Sequence, residues 1–139
     1  MSYINFTITG KMIKEKIIRK LSDFYSLRDK MIKRWPGIYI PSLPPRQTLG
    51  RKDKEMIEFQ IKILNTFCEK VSRYDFLLNS DELKLFLVNI SEPSKSIERL
   101  QDPEYNVILN RFIRDLGDVS DDYDYVEGKE KIQKFHSYV

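Results

Sequence analysis

The chain has 139 residues, of which 41% are hydrophobic and 32% are charged, so one domain with a buried core is expected. No apolar run approaches the ~20 residues that a membrane-spanning helix needs, and no signal-peptide pattern opens the chain. The single cysteine, Cys68, excludes an internal disulfide. We therefore expect a cytosolic protein.

The charges are distributed unevenly along the chain. Residues 1–54 hold 13 Lys/Arg and 4 Asp/Glu, a net charge of +9, whereas residues 91–139 hold 7 and 11, a net charge of −4. A basic first half favours an anionic partner, either a phosphate-bearing lipid or a nucleic acid. A solvated, lysine-rich surface is the alternative interpretation.

The first elements read as a β-hairpin. Residues 3–9 alternate apolar and polar side chains, which predicts a strand, and Gly10-Lys11 predicts a turn. Residues 12–21 predict a second, antiparallel strand. Alternation on that strand places Lys14, Lys16 and Lys20 on one face as a stripe of cations.

A helix and a proline-rich segment follow the hairpin. Ser22 or Asp23 is placed to cap a helix whose buried face comprises Phe24, Leu27, Met31 and Trp35. Pro36 ends that helix. Four prolines fall between positions 36 and 45, and this density favours an extended polyproline conformation over helix or sheet.

The next segment is predicted to be helical. Asp53 caps a long helix to about Arg73, and its broad apolar face predicts a central, mostly buried helix. That face comprises Met56, Ile57, Ile61, Ile63, Leu64, Phe67, Cys68 and Val71. A short helical turn near 74–78 and a helix over about 80–90 follow, and Pro93 ends the compact unit.

The C-terminal part has a different character. Residues 104–116 carry apolar side chains at amphipathic spacing, so this helix either docks on the compact unit or begins a dimerising or membrane-curving module. Residues 118–127 hold five acidic residues and predict a loop. Residues 128–137 predict a short polar helix.

Catalysis is not supported by the side chains available. The one histidine, His136, lies in the polar tail, and with one cysteine it supplies neither a zinc ligand set nor a nucleophile–base pair. Gly10-Lys11 lacks the remaining residues of a phosphate-binding loop. We therefore expect no enzyme activity, no metal and no cofactor.

One ordered series of motifs points to a known family. Arg19-Lys20-Leu21-Ser22-Asp23-Phe24 is followed by Trp35-Pro36-Gly37 and then by Ile40-Pro41-Ser42-Leu43-Pro44-Pro45-Arg46. Over roughly residues 3–90 this order resembles the PX (Phox-homology) domain of the sorting nexin type. The resemblance implies an α+β fold, with a small antiparallel sheet packed on a helical subdomain. It places the domain at 1–92 and a helical extension at 93–139, and it implies that the family's first strand is missing.

The resemblance also implies which residues form a lipid headgroup site. Lys20 occupies the position that holds the 3-phosphate of phosphatidylinositol 3-phosphate, next to the basic Arg19. Leu21 stands where an aromatic ring usually packs on the inositol, and Arg46 matches the residue that clamps the 1-phosphate. Gln60 stands where an arginine usually grips the 4- and 5-hydroxyls. Lysine lacks the bidentate fork of arginine, so weakened or altered selectivity is expected.

A membrane-facing loop is implied by the same resemblance. Its cations are Arg51, Lys52 and Lys54, and its insertable side chain is Leu49. Each cation near an anionic leaflet contributes about 1 kcal/mol. Burial of one leucine contributes about 1.5–3 kcal/mol, which does not anchor a protein alone.

The expected function is peripheral attachment to endosomal phosphoinositide membranes during sorting and vesicle trafficking, with trafficking proteins as further partners. One alternative is a protein-interaction module on the same scaffold, which uses an exposed strand edge or the helix at 104–116 and binds little lipid. Nucleic-acid binding is not expected, because the aromatic residues fall mostly on predicted core faces.

Overall fold

The computed structural model describes residues 4–11 and 13–117. It has an antiparallel two-stranded sheet and several helices, which confirms the predicted α+β fold. The strands are β1 (Asn5–Ile8) and β2 (Ile17–Lys20). The helices are α1 (Leu21–Arg34), α2 (Lys54–Ser72), α3 (Asp75–Leu78), α4 (Asp81–Phe86), α5 (Pro93–Glu98) and α6 (Tyr105–Gly117), with a 3-10 turn at Arg46–Thr48.

The described chain divides into two compact units. Among the described residues, unit 1 comprises residues 4–11, 13–31 and 40–100, and unit 2 comprises residues 32–39 and 101–117. In unit 2, the guanidinium of Arg111 stacks 4.1 Å from the centroid of the Trp35 ring and donates to the Arg34 carbonyl at 2.7 Å. The domain boundary at residue 92 stays a prediction. The loop and helix predicted over 118–137 lie outside the described residues.

The hairpin is shorter than its sequence pattern predicts. Phe6 pairs with Arg19 and Ile8 with Ile17, and these side chains share the inward face of the sheet. Residues 13–16 are not a strand, so the predicted stripe of Lys14, Lys16 and Lys20 is wrong. Lys14, Lys16 and Lys20 share the period of two that a strand would have, but this period does not ensure that a partner strand reaches residues 13–16.

The core of unit 1 forms where α1 crosses the aromatic side chains of α2 and α4. Phe24 contacts Phe67 and Phe86 in edge-to-face geometry, with ring centroids 6.3 and 4.9 Å apart. Leu27 and Met31, on the same face of α1, are fully buried. The predicted inward face of α1 is confirmed as far as Met31.

Helix α2 is less buried than its sequence predicts. Its buried residues are Gln60, Leu64, Phe67 and Val71, at helical spacing. Ile61 is 43% exposed, so the prediction of a mostly buried helix is wrong. The two-stranded sheet leaves the side of α2 next to β1 partly uncovered.

Arg19 is an internal clamp. It is 3% exposed, and its Nε donates to the Phe86 carbonyl at 2.9 Å. Its Nη1 donates to the carbonyls of Ile18 at 2.7 Å and Ile90 at 3.2 Å, and its Nη2 donates to the Val88 carbonyl. The bonds to Val88 and Ile90 satisfy carbonyls of the segment that follows α4. Helix α4 ends at Phe86, short of the predicted residue 90.

Pro93, predicted to end the compact unit, is the first residue of α5, where its missing N–H costs nothing. Within residues 4–11 and 13–117, no helix is both long and apolar enough to cross a membrane.

Replacing Arg19 by lysine should lower the free energy of unfolding by about 2–4 kcal/mol, because an ammonium cannot reproduce the planar set of bonds, each worth about 1.5–3 kcal/mol. The matched control is Arg73→Lys, since Arg73 pairs with Glu69 on the surface. Urea unfolding measures both variants. Equal losses in the two would contradict the clamp.

Candidate functional site

The proline-rich segment is fixed to α1 by side chains of that helix. The Nε of Arg28 donates to the Pro41 carbonyl at 2.8 Å, and its Nη2 donates to the Ile40 carbonyl at 3.4 Å. The hydroxyl of Tyr25 donates to the Pro44 carbonyl. An extended segment has no internal hydrogen bonds, so its carbonyls need donors from elsewhere. Helix α1 supplies them, and the segment therefore folds back along it.

This anchoring places Arg46 against α1. Its guanidinium carbon lies 4.4 Å from the centroid of the Tyr25 ring, and its Nη2 lies 3.5 Å from Oδ2 of Asp29. Burial raises the pKa of the Tyr25 phenol, and the positive charge of Arg46 opposes that rise. The Arg46 side chain is 65% exposed, so its donors are accessible to an external anion.

Lys20 lies at the start of the same helix. It is the exposed last residue of β2, directly before α1, and its backbone N–H donates to Oδ2 of Asp23 at 2.8 Å. The pKa of the Glu92 carboxyl is lowered, mainly by the hydrogen bond and charge of Lys95, with smaller effects from Lys20 and Arg99. Glu92 is therefore a carboxylate in the electrostatic neighbourhood of Lys20.

Leu21, Tyr25 and Asp29 are spaced by four residues and follow one face of α1. Arg46 contacts the second and third of these side chains. Leu21 is about one turn, or about 6 Å along the axis, before Tyr25. Leu21 itself is buried, so it offers no open platform to a sugar ring.

Gln60 joins the turn that carries Arg46 to α2. Its Nε2 donates to the Thr48 carbonyl at 3.0 Å, and the residue is 1% exposed. Within the described part of the chain, its buried Oε1 has no hydrogen-bond partner. The 3-10 turn is therefore held from α1 and from α2 at once.

The remaining predicted site residues divide into two groups. Arg19 is committed to backbone carbonyls inside the protein, which leaves its guanidinium unavailable to an external ligand. The loop residues Leu49, Arg51, Lys52 and Lys54 are exposed. Arg51 pairs with Asp53 at 3.2 Å, and Lys54 lies 4.0 Å from Glu58. Exposed pairs of this kind contribute little and are easily exchanged.

The sequence reasoning missed Tyr25, Arg28 and Asp29. Tyr25 and Asp29 were detectable in principle, since they continue the four-residue spacing that begins at Leu21. Their role depends on the proline-rich segment, however, and sequence spacing does not show which helix face that segment contacts.

The described fold and site define a class of protein: a small α+β domain with a proline-rich segment folded back on a helix and exposed cations beside that helix. A family model described as PX domain matches residues 8–89, which is more than half of the chain. The chain belongs to the PX domain family.

Relatives of the sorting nexin type are similar to this chain. Sorting nexin 1 of Arabidopsis thaliana is 30% identical over 122 residues, which cover 83% of this chain and 29% of that protein. Human sorting nexin-8 is 28% identical over 87 residues, covering 63% of this chain and 18% of that protein. The Schizosaccharomyces pombe vacuolar protein sorting-associated protein vps5 is 35% identical over 69 residues, covering 50% of this chain and 12% of that protein. The chain thus spans less than a third of the length of these relatives.

Replacing Gln60 by glutamate should lower the free energy of unfolding at pH 7 by about 1–3 kcal/mol, because a buried carboxylate would face the Thr48 carbonyl. Burial raises the pKa of such a carboxyl above its unfolded value of about 4.3. The loss is therefore present at neutral pH and disappears as the pH falls toward that value.

The matched control is Gln47→Glu, because Gln47 is exposed in the same 3-10 turn. Urea unfolding of both variants at pH 7 and pH 5 measures the difference. A Gln60→Glu variant as stable as Gln47→Glu at pH 7 would show that the amide does not hold the turn.

Proposed function

We propose that this domain attaches to phosphoinositide-containing membranes by binding the lipid headgroup between Lys20 and Arg46. The observation that carries this proposal is the anchoring of the proline-rich segment to α1 by Tyr25 and Arg28. That anchoring places Arg46 along the face of α1 that begins directly after Lys20. Charge-assisted hydrogen bonds from two cations bind a phosphate group more strongly than those from one, and these two residues come from a strand end and a 3-10 turn.

The proposed lipid is phosphatidylinositol 3-phosphate. We expect the domain to select this headgroup more weakly, or differently, than a domain with the family's usual site residues. Lys20 supplies a point charge where a guanidinium would supply a planar fork. Leu21 is buried and gives no flat surface for the inositol ring. The Gln60 side chain is 1% exposed and one N–H of its amide donates to the Thr48 carbonyl, so the amide is turned to the protein interior. Losing one charge-assisted contact of about 1.5–3 kcal/mol would weaken binding roughly tenfold or more.

The loop after Arg46 would steer the domain to an anionic membrane. Arg51, Lys52 and Lys54 are exposed, and each cation near an anionic leaflet contributes about 1 kcal/mol. The nearby carboxylates of Asp53 and Glu58 reduce that attraction. Leu49, 44% exposed, would insert into the interface.

The biological setting is proposed from the family and the similar proteins. Sorting nexins and a vacuolar protein sorting-associated protein are among the relatives, which supports a non-enzymatic role in membrane trafficking. We place the domain in the cytoplasm, peripheral on endosomal membranes, with trafficking proteins as partners and without nucleic acid.

A dimer through α6 is a separate part of the proposal. Tyr105, Leu109 and Ile113 follow one side of that helix, and all three are exposed. Exposed apolar side chains at four-residue spacing suit helix pairing. The dimer stays a prediction.

Co-sedimentation with vesicles that contain phosphatidylinositol 3-phosphate tests the headgroup site. We expect Lys20→Ala and Arg46→Ala each to weaken binding about tenfold or more, because each removes a charge-assisted contact. The controls Lys62→Ala and Arg73→Ala remove an exposed cation of the same type from α2 and its C-cap. Equal losses in site and control variants would indicate diffuse charge attraction and contradict a headgroup site.

A second candidate function has its own observation. Two adjoining clefts, of about 300 and about 420 Å³, lie beside β1 and share Ile8, Thr9 and Cys68 in their walls. Ile57, Ile61 and Leu64 of α2 form part of the smaller cleft. The Cys68 thiol is largely desolvated there, which raises its pKa to about 11. An edge strand beside a cleft that contains apolar side chains favours an extended peptide of a partner protein, with apolar residues at alternate positions.

Display selection from a random-peptide library tests this candidate. We expect the selected peptides to alternate apolar residues and to lose binding to Ile61→Asp, because a carboxylate would enter the apolar wall. The control is Ile32→Asp, since Ile32 is equally exposed on α1 and is absent from both clefts. Peptides without alternation, or an equal loss with both variants, would reject the peptide-binding cleft.

A further inference from the structure

Arg46 faces a carboxylate of its own domain. Oδ2 of Asp29 lies 3.5 Å from Nη2 of Arg46, and the two side chains are 59% and 65% exposed. Because both groups are open to solvent, an external anion is able to replace this contact. The Asp29 carboxylate thus reversibly occupies the position beside Arg46 that a phosphate would take.

The geometry leaves the phosphate little choice of approach. The Tyr25 ring covers one face of the Arg46 guanidinium, at 4.4 Å, and the Tyr25 hydroxyl is fixed by the Pro44 carbonyl. A phosphate binds a guanidinium through the N–H groups at its edge, not through its face. Asp29 lies at Nη2, which is part of that edge. The Asp29 carboxylate therefore competes with a lipid phosphate for at least one of the donors on that edge.

Asp29 continues to repel the phosphate after the phosphate has bound to Arg46. Asp29 belongs to the third turn of α1, so its carboxylate stays close after it has released Arg46. Its repulsion grows with the charge of the ligand, because the Coulomb energy is proportional to both charges. A headgroup with several phosphates is penalised more than one with a single phosphate on the inositol ring.

We propose that Asp29 is an internal counter-ion that competes with the lipid phosphate for Arg46, lowering affinity and disfavouring the more highly phosphorylated headgroups. The inference rests on the proposed headgroup site and adds a specificity-determining residue to it. The Glu92 carboxyl, whose pKa is lowered in part by Lys20, places a second negative charge near the other cation of the site.

The experiment compares wild type, Asp29→Asn, Arg46→Gln and the double variant. Vesicles of phosphatidylcholine with either phosphatidylinositol 3-phosphate or phosphatidylinositol 3,4,5-trisphosphate are used, together with free inositol 1,3-bisphosphate to separate headgroup binding from membrane binding. We expect Asp29→Asn to bind the monophosphate lipid about three- to fivefold more tightly, consistent with one exposed ion pair, and to gain more for the trisphosphate. The gain should vanish when Arg46 is also replaced.

The control is Asp75→Asn, which makes the same charge change at an exposed position on α3. If Asp29→Asn gains no more than Asp75→Asn, or keeps its gain without Arg46, the counter-ion proposal is overturned. The headgroup site still stands in that case if wild-type binding requires Lys20 and Arg46. Absence of binding in every variant, with thermal unfolding unchanged, would overturn both.

Discussion

The structure depends on long side chains that donate hydrogen bonds to the carbonyls of irregular segments. Tyr25 and Arg28 serve the proline-rich segment, and Arg19 serves the residues after α4. Gln60 holds the 3-10 turn, and Lys30 donates to the Leu100 carbonyl at 2.8 Å. A buried carbonyl without a hydrogen-bond partner costs free energy. These bonds therefore determine where the segments that lack internal hydrogen bonds are positioned.

The basic residues in the first half of the chain are of two kinds. Arg19 and Arg28 are directed to backbone carbonyls, and their charges serve the fold. Arg46 is largely exposed to solvent, and its guanidinium contacts the Tyr25 ring and the Asp29 carboxylate. The net positive charge of the first half of the chain therefore overstates what is presented to an anionic partner. Counting charges along a sequence gives the number of basic side chains, whereas burial determines how many of them are accessible to a ligand.

The hairpin explains why the side of α2 next to β1 is open. Within the described residues the sheet has two strands, so it covers less of α2 than the apolar pattern of that helix anticipates. A two-stranded sheet gains much of its stability from the helix packed against it. The inward pairs of Phe6 with Arg19 and half-buried Ile8 with Ile17 supply that contact on one side only.

The family, the α+β class and the inward residues of α1 were predictable from the sequence, because motif order and helical periodicity are local properties. The sequence also located Lys20 and Arg46 as exposed cations near a helix and a proline-rich segment. The internal position of Arg19, the exposure of Ile61 and the contact between Asp29 and Arg46 are seen only in the folded chain. Each of these depends on which carbonyl, strand or side chain arrives from a distant part of the chain, and periodicity carries no information about that partner.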